Sequence, residues 1–133
     1  MTITPDTNVL VRAAVRDDKV QERAAIKLLA GAETVAVPLP ALCEFVWVLD
    51  RVYSYSRQEI VIAIEKLFNS ANVVVDRPAV DAGLAALREG GDFADGVIAH
   101  EGAWLGGETF VSFYRKAVAI LAKQGVQTKL LPG

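Results

Sequence analysis

The sequence predicts an α/β fold: a mainly parallel sheet of about four to five short strands with helices on both faces. Short β-rich runs alternate with longer segments of helical apolar spacing along the whole chain. Strands separated by helices need crossover connections, which make neighbouring strands parallel and lay helices over the sheet. The 133 residues hold no internal repeat and no low-complexity linker, so residues 1–133 read as one domain.

The elements follow in order. Thr2–Thr4 is a strand ending at Pro5-Asp6. Thr7–Arg16 and Lys19–Ala30 are helical, the second with Ala24, Ala25, Leu28 and Leu29 at helical spacing and Gly31 as its stop. Thr34–Val37 is the second strand. Pro40 suits the first turn of a helix reaching Tyr53. Ser56 and Glu59 have the spacing of a partial capping box before the apolar run Ile60–Phe68. Asn72–Val75 is a third strand and Arg77–Glu89 a helix stopped by Gly90-Gly91. Asp92 opens a helix to Leu105, stopped by Gly106-Gly107. Thr109–Ser112 is a strand, Arg115–Lys123 a helix, and Thr128–Leu131 the last strand.

Composition excludes several classes. With 53% hydrophobic and 23% charged residues the chain is not disordered. Fourteen basic and 16 acidic residues leave a net charge of −2, so any contact with nucleic acid must come from a local site. The single Cys43 builds no disulfide framework or thiolate zinc site, and reads as a buried thiol of a reducing cytoplasm. His100, the one histidine, leaves little for an imidazole metal site. No signal peptide is visible. The apolar stretch Val35–Leu49 is too short to span a bilayer and holds two prolines and a glutamate. A cytoplasmic protein away from membranes is expected.

Open parallel sheets bind ligands beyond the carboxyl ends of their strands. Asp6 stands there after the first strand, although Asp is also a favoured N-cap. Glu44 is the only charge between Glu33 and Asp50, on a helix that reads as apolar all round and therefore buried. A buried carboxylate needs a cation, either an arginine or a metal ion. Asp92 and Asp95 share the first turn of one helix, where capping explains either one singly. The following Val97-Ile98-Ala99 reads as a buried turn. Together the four acids make a stronger case for a cation site. Clustered carboxylates raise one another's pKa unless a cation intervenes, and oxygen-only donors select Mg²⁺ or Mn²⁺. Such ions activate water for phosphoryl displacement.

Three segments carry a resemblance: Ile3–Leu10, Pro40–Leu49 and Asp92–Ala99. In this order and spacing they resemble the PIN-domain ribonucleases, and most closely the VapC-like toxins of type II toxin–antitoxin modules. The resemblance implies a three-layer PIN-like fold and a metal-dependent endoribonuclease that leaves 5′-phosphate and 3′-hydroxyl ends. It implies Asp6, Glu44 and Asp95 as metal ligands, Asp92 as an additional acid, and Thr7 and Asn8 as hydrogen-bonding supports. It also implies a cognate VapB-like antitoxin that blocks the site and carries the complex to DNA. A homodimer is implied too, in keeping with the 53% hydrophobic content.

One departure stands out. Where such toxins have a Thr-Phe-Asp-Arg-Lys type segment, this chain has Ser112-Phe113-Tyr114-Arg115-Lys116. Tyr114 replaces the fourth acid, and a phenol is neutral near pH 7 and a poor ligand for Mg²⁺. The alternative reading is a weakened or inactive domain that binds an antitoxin. Ser112 ends the strand and could touch the site. Arg115 and Lys116 would offer positive charge to an RNA backbone. A phosphatase of the haloacid dehalogenase type would need a second acid two residues after Asp6, where Asn8 stands.

Overall fold

A computed structural model describes residues 1–133 as seven helices and five strands. They form two compact units, Met1–Asp76 and Arg77–Gly133.

The first unit runs β1 (Thr2–Ile3), α1 (Thr7–Ala14), α2 (Lys19–Gly31), β2 (Thr34–Ala36), α3 (Leu39–Arg51), α4 (Arg57–Phe68) and β3 (Val73–Val74). β2 is central and parallel to both neighbours, with Thr2 opposite Thr34 and Val35 opposite Val73. Prolines end these strands early. Pro5 and Pro38 have no N–H to continue a ladder, so β1 and β2 are shorter than their apolar runs suggest. Val35 and, from the helices, Leu10, Leu42, Phe45, Leu49 and Ile64 fill the core. Burial of this apolar area, at about 25 cal/mol per Å², is the main stabilising term.

Side chains fix the helix ends. The Asp18 carboxylate accepts from the N–H groups of Val20 and Gln21, and α1 ends at Ala14 so that the chain can turn into this cap. The Ser56 box is complete rather than partial. Ser56 Oγ accepts from Glu59 N at 3.1 Å, and Ser56 N donates to Glu59 Oε1 at 2.9 Å. Asn72 precedes β3 instead of opening it. Its Nδ2 donates to the carbonyls of Leu29 and Ala32 at 2.8 and 2.9 Å, which would otherwise be orphans at the end of α2. Arg12, Asp17 and Tyr53 close a ring: Arg12 Nη1 donates to Asp17 Oδ1 (2.9 Å) and to Tyr53 Oη (3.3 Å), and Tyr53 Oη donates to Asp17 Oδ2 (3.1 Å).

The second unit runs α5 (Arg77–Arg88), α6 (Phe93–Trp104), β4 (Phe110–Ser112), α7 (Arg115–Lys123) and β5 (Thr128–Leu130). β4 and β5 are parallel, with Phe110 opposite Thr128 and Ser112 opposite Leu130. Hydrogen bonding thus divides the parallel strands between a three-stranded and a two-stranded sheet, where one sheet was expected. Gly90 (φ 91°) and Gly106 (φ 98°) turn the chain out of α5 and α6, as the two glycine pairs predict. α5 and α6 pack at backbone distance. A Cβ at Gly96 would strike the Ala82 carbonyl oxygen and lie 2.8 Å from Gly83 Cα. A Cβ at Gly83 would lie 2.6 Å from the buried Phe93 ring.

Candidate active-site acids

Asp6 caps α1. Its Oδ1 accepts from Val9 N at 3.1 Å, while Oδ2 accepts no hydrogen bond and the side chain is exposed. Both the capping reading and an available oxygen therefore hold. Thr7 and Asn8 begin α1 and make no side-chain hydrogen bond.

Glu44 corrects the sequence reading. It is exposed, not buried, and makes no ion pair. α3 is apolar in composition but not in burial. Leu39, Leu42, Phe45, Val46 and Leu49 face inward, whereas Pro40, Glu44, Trp47 and Arg51 form an outer stripe at helical spacing. Trp47, 59% exposed, made the helix look buried all round. Cys43 beside it is half-buried rather than buried.

In the first unit, Asp6 and Glu44 follow the neighbouring parallel strands β1 and β2, on helices that pack against each other. In the second, Asp92 caps α6, with Oδ1 accepting from Ala94 N at 3.0 Å. Asp95 is half-buried in the same first turn. Burial, and then the neighbouring Asp92 charge, push the Asp95 carboxyl above its ordinary value. Phe93 and Val97 anchor this turn in the core, but Ile98, expected to be buried, is 57% exposed. Ser112 ends β4, and its Oγ accepts from Tyr114 N at 3.0 Å. Tyr114 is the first-position cap of α7 without a side-chain bond to it, and is 77% exposed.

The structure thus brings Asp92 and Asp95 together, and Ser112 beside Tyr114. No three His, Cys, Asp or Glu side chains are grouped closely enough to hold a metal ion. The donor chemistry itself suits a hard divalent cation, since every candidate ligand is a carboxylate oxygen. Sequence patterning passes over Gly96. Its missing side chain lets the α6 turn that bears Asp95 lie against α5, and a glycine inside an apolar helix is the signal for such close approach.

No curated protein matches the chain. A family model described as PIN domain matches residues 3–100, a span that contains Asp6, Glu44, Asp92 and Asp95 and crosses from the first unit into the second. Ser112 and Tyr114 lie beyond it. With acids in order after successive strands and on the α6 turn, and with most of its length inside that match, the chain belongs to the PIN domain family of nucleases.

Proposed function

We propose that the chain is a metal-dependent endoribonuclease of the VapC toxin type, formed as one PIN domain over residues 1–133. The observation that carries this reading is the family match spanning all four acids. Asp6, Glu44 and Asp95 would hold Mg²⁺ or Mn²⁺, with Asp92 assisting. The ion, when bound, supplies an activated water and stabilises charge on the phosphate under attack. The chain's own residues prepare for it. Asp6 keeps one oxygen on its helix cap and leaves the other available. Asp92 anchors the α6 turn through Ala94 N and adds negative charge beside Asp95. Partners under this reading are an RNA substrate, a VapB-like antitoxin that brings the complex to DNA, and a second copy of the chain, in a cytoplasmic setting. No helix is long and apolar enough to cross a membrane.

Asp6→Asn is the discriminating variant. Asn caps a helix as well as Asp, so thermal stability should hold. Cleavage of single-stranded RNA in Mg²⁺ should fall at least about 100-fold, a loss seen even for groups that only orient metal ligands. Cleavage that persists in this variant or in excess chelator would refute the reading. So would a chain that binds its antitoxin but cuts no RNA, which is the outcome for a non-catalytic domain. Light scattering at micromolar protein should give a dimer mass; a monomer would remove the second copy.

A further inference from the structure

Of the ten aromatic side chains four are exposed, Trp47, Trp104, Phe113 and Tyr114, and only the last two are adjacent. Phe113 is 63% exposed and Tyr114 77%, while Phe45, Phe68 and Phe93 are buried. Leaving two rings in water forfeits the burial that such side chains normally contribute. Their backbone is nevertheless held on both sides. Leu131 N donates to Ser112 O at 2.8 Å, Ser112 Oγ accepts from Tyr114 N at 3.0 Å, and Ser112 is in register with Leu130 of β5. The Phe113 ring lies against Gly133, where an added Cβ would come within 3.1 Å of it. Arg115 and Lys116 follow directly, both exposed and neither in an ion pair. The Tyr114 hydroxyl has no hydrogen-bond partner either.

Two presented rings next to two unpaired cations, on a fixed backbone, match what single-stranded nucleic acid asks of a protein: flat faces for its bases and positive charge for its phosphates. In a chain of net charge −2, this local cation pair favours a polyanion over an apolar protein partner. We propose that Tyr114, with Phe113 beside it, is a stacking platform for an unpaired base of single-stranded RNA, and that Arg115 and Lys116 hold the adjoining phosphates. This rests on the nuclease reading above. It gives position 114 a substrate-binding role in place of the absent acid.

The test measures binding of the full chain to fluorescein-labelled, random-sequence RNA of about 12 nucleotides, within the range one such surface covers, by anisotropy in chelator so that nothing is cut. Tyr114→Ala should weaken binding about tenfold, as expected for one lost base stack, and Tyr114→Phe should bind like the parent. On a fully abasic strand of equal length the Tyr114→Ala loss should vanish, because only phosphate contacts remain. A duplex of the same length should bind more weakly and ignore the substitution. Circular dichroism and thermal midpoints identify any variant that has misfolded, and Tyr114→Leu, which keeps bulk without a flat ring, then carries the comparison: it should lose affinity on based RNA and match the parent on abasic RNA. Parent-like affinity of a folded Tyr114→Ala, or an equal loss on abasic RNA, overturns the platform and assigns the rings to a protein contact. If RNA is bound and cut in an Asp6-dependent way while Tyr114→Ala changes nothing, only the platform falls. If the parent binds no RNA, platform and nuclease reading fall together.

Discussion

Gly96→Ala should destabilise the protein, although alanine is the better helix former. Within a helix the exchange alone contributes about 1 kcal/mol in favour of Ala. At position 96 the new methyl meets backbone, not a side chain that can rotate away: the Ala82 carbonyl oxygen and carbon, and Gly83 Cα at 2.8 Å. Relief requires α5 and α6 to separate, and the Phe93 ring already seated against Gly83 resists a slide in that direction. Overpacking of this kind costs about 1–3 kcal/mol and sometimes more. Two rigid contacts place this site at the upper end, for a net loss of about 2 kcal/mol. Gly102 is the control. It lies on the same helix with nothing within 4 Å of its added Cβ, so Gly102→Ala should gain about 0.5–1 kcal/mol. In urea titrations followed by circular dichroism, with a slope of about 1.5 kcal/mol per molar, the two midpoints should differ by about 2 M and lie on opposite sides of the parent. Midpoints that move together would refute the close approach of α5 and α6.

Asp95→Asn should stabilise the chain at neutral pH in chelator. Its carboxyl is raised in the fold, so the folded state binds more protons than the unfolded one, and stability falls as pH rises from 3.8 through the folded value; urea midpoints against pH should lose that slope in the variant, and a less stable variant at pH 7 would contradict the assignment. Ser56→Ala removes the Oγ half of the capping box, leaving the backbone N–H of residue 56 to donate to Glu59 Oε1, and should cost about 1 kcal/mol, read as a lower urea midpoint, while Ser56→Asp should restore much of it. Tyr114→Asp should separate the two roles of position 114. Mg²⁺ affinity and kcat should rise, KM should rise with the lost ring, and the gain in kcat should disappear when Asp6→Ala is added; unchanged cleavage would take position 114 out of the site.

Helix positions were legible because their ends are written in single residues. Asp6, Ser56 and Asp92 cap where the pattern puts them, and Pro40 falls in the first turn of α3. Strand lengths were less legible, since the apolar run Thr34–Val37 extends one residue past the strand, which ends at Ala36 ahead of Pro38. The division into two sheets depends on which strands share hydrogen bonds, and a strand of two or three residues leaves no trace of that in its sequence. Asp6 and the Asp92–Asp95 pair were found because acids at a strand end or helix start are conspicuous. Glu44 was found by a wrong physical argument: its helix exposes Trp47 beside it, so apolar composition did not mean burial. The α5–α6 approach was invisible, because a glycine announces missing bulk without naming the neighbour that needs it.

The ring of Arg12, Asp17 and Tyr53 has a consequence for Asp6. α1 has eight residues, about 12 Å, with Asp6 at its start and Arg12 in its last turn. A short helix seated only by Leu10 and Val11 can roll on its apolar stripe. The guanidinium and carboxylate, joined through a phenol brought in from the end of α3, act as a key that stops the roll. The bearing of the Asp6 carboxylate is thereby set from the opposite end of α1, by a tyrosine that follows α3. Loss of cleavage on altering Tyr53 or Asp17 would therefore signal a turned α1, not a lost contact with RNA.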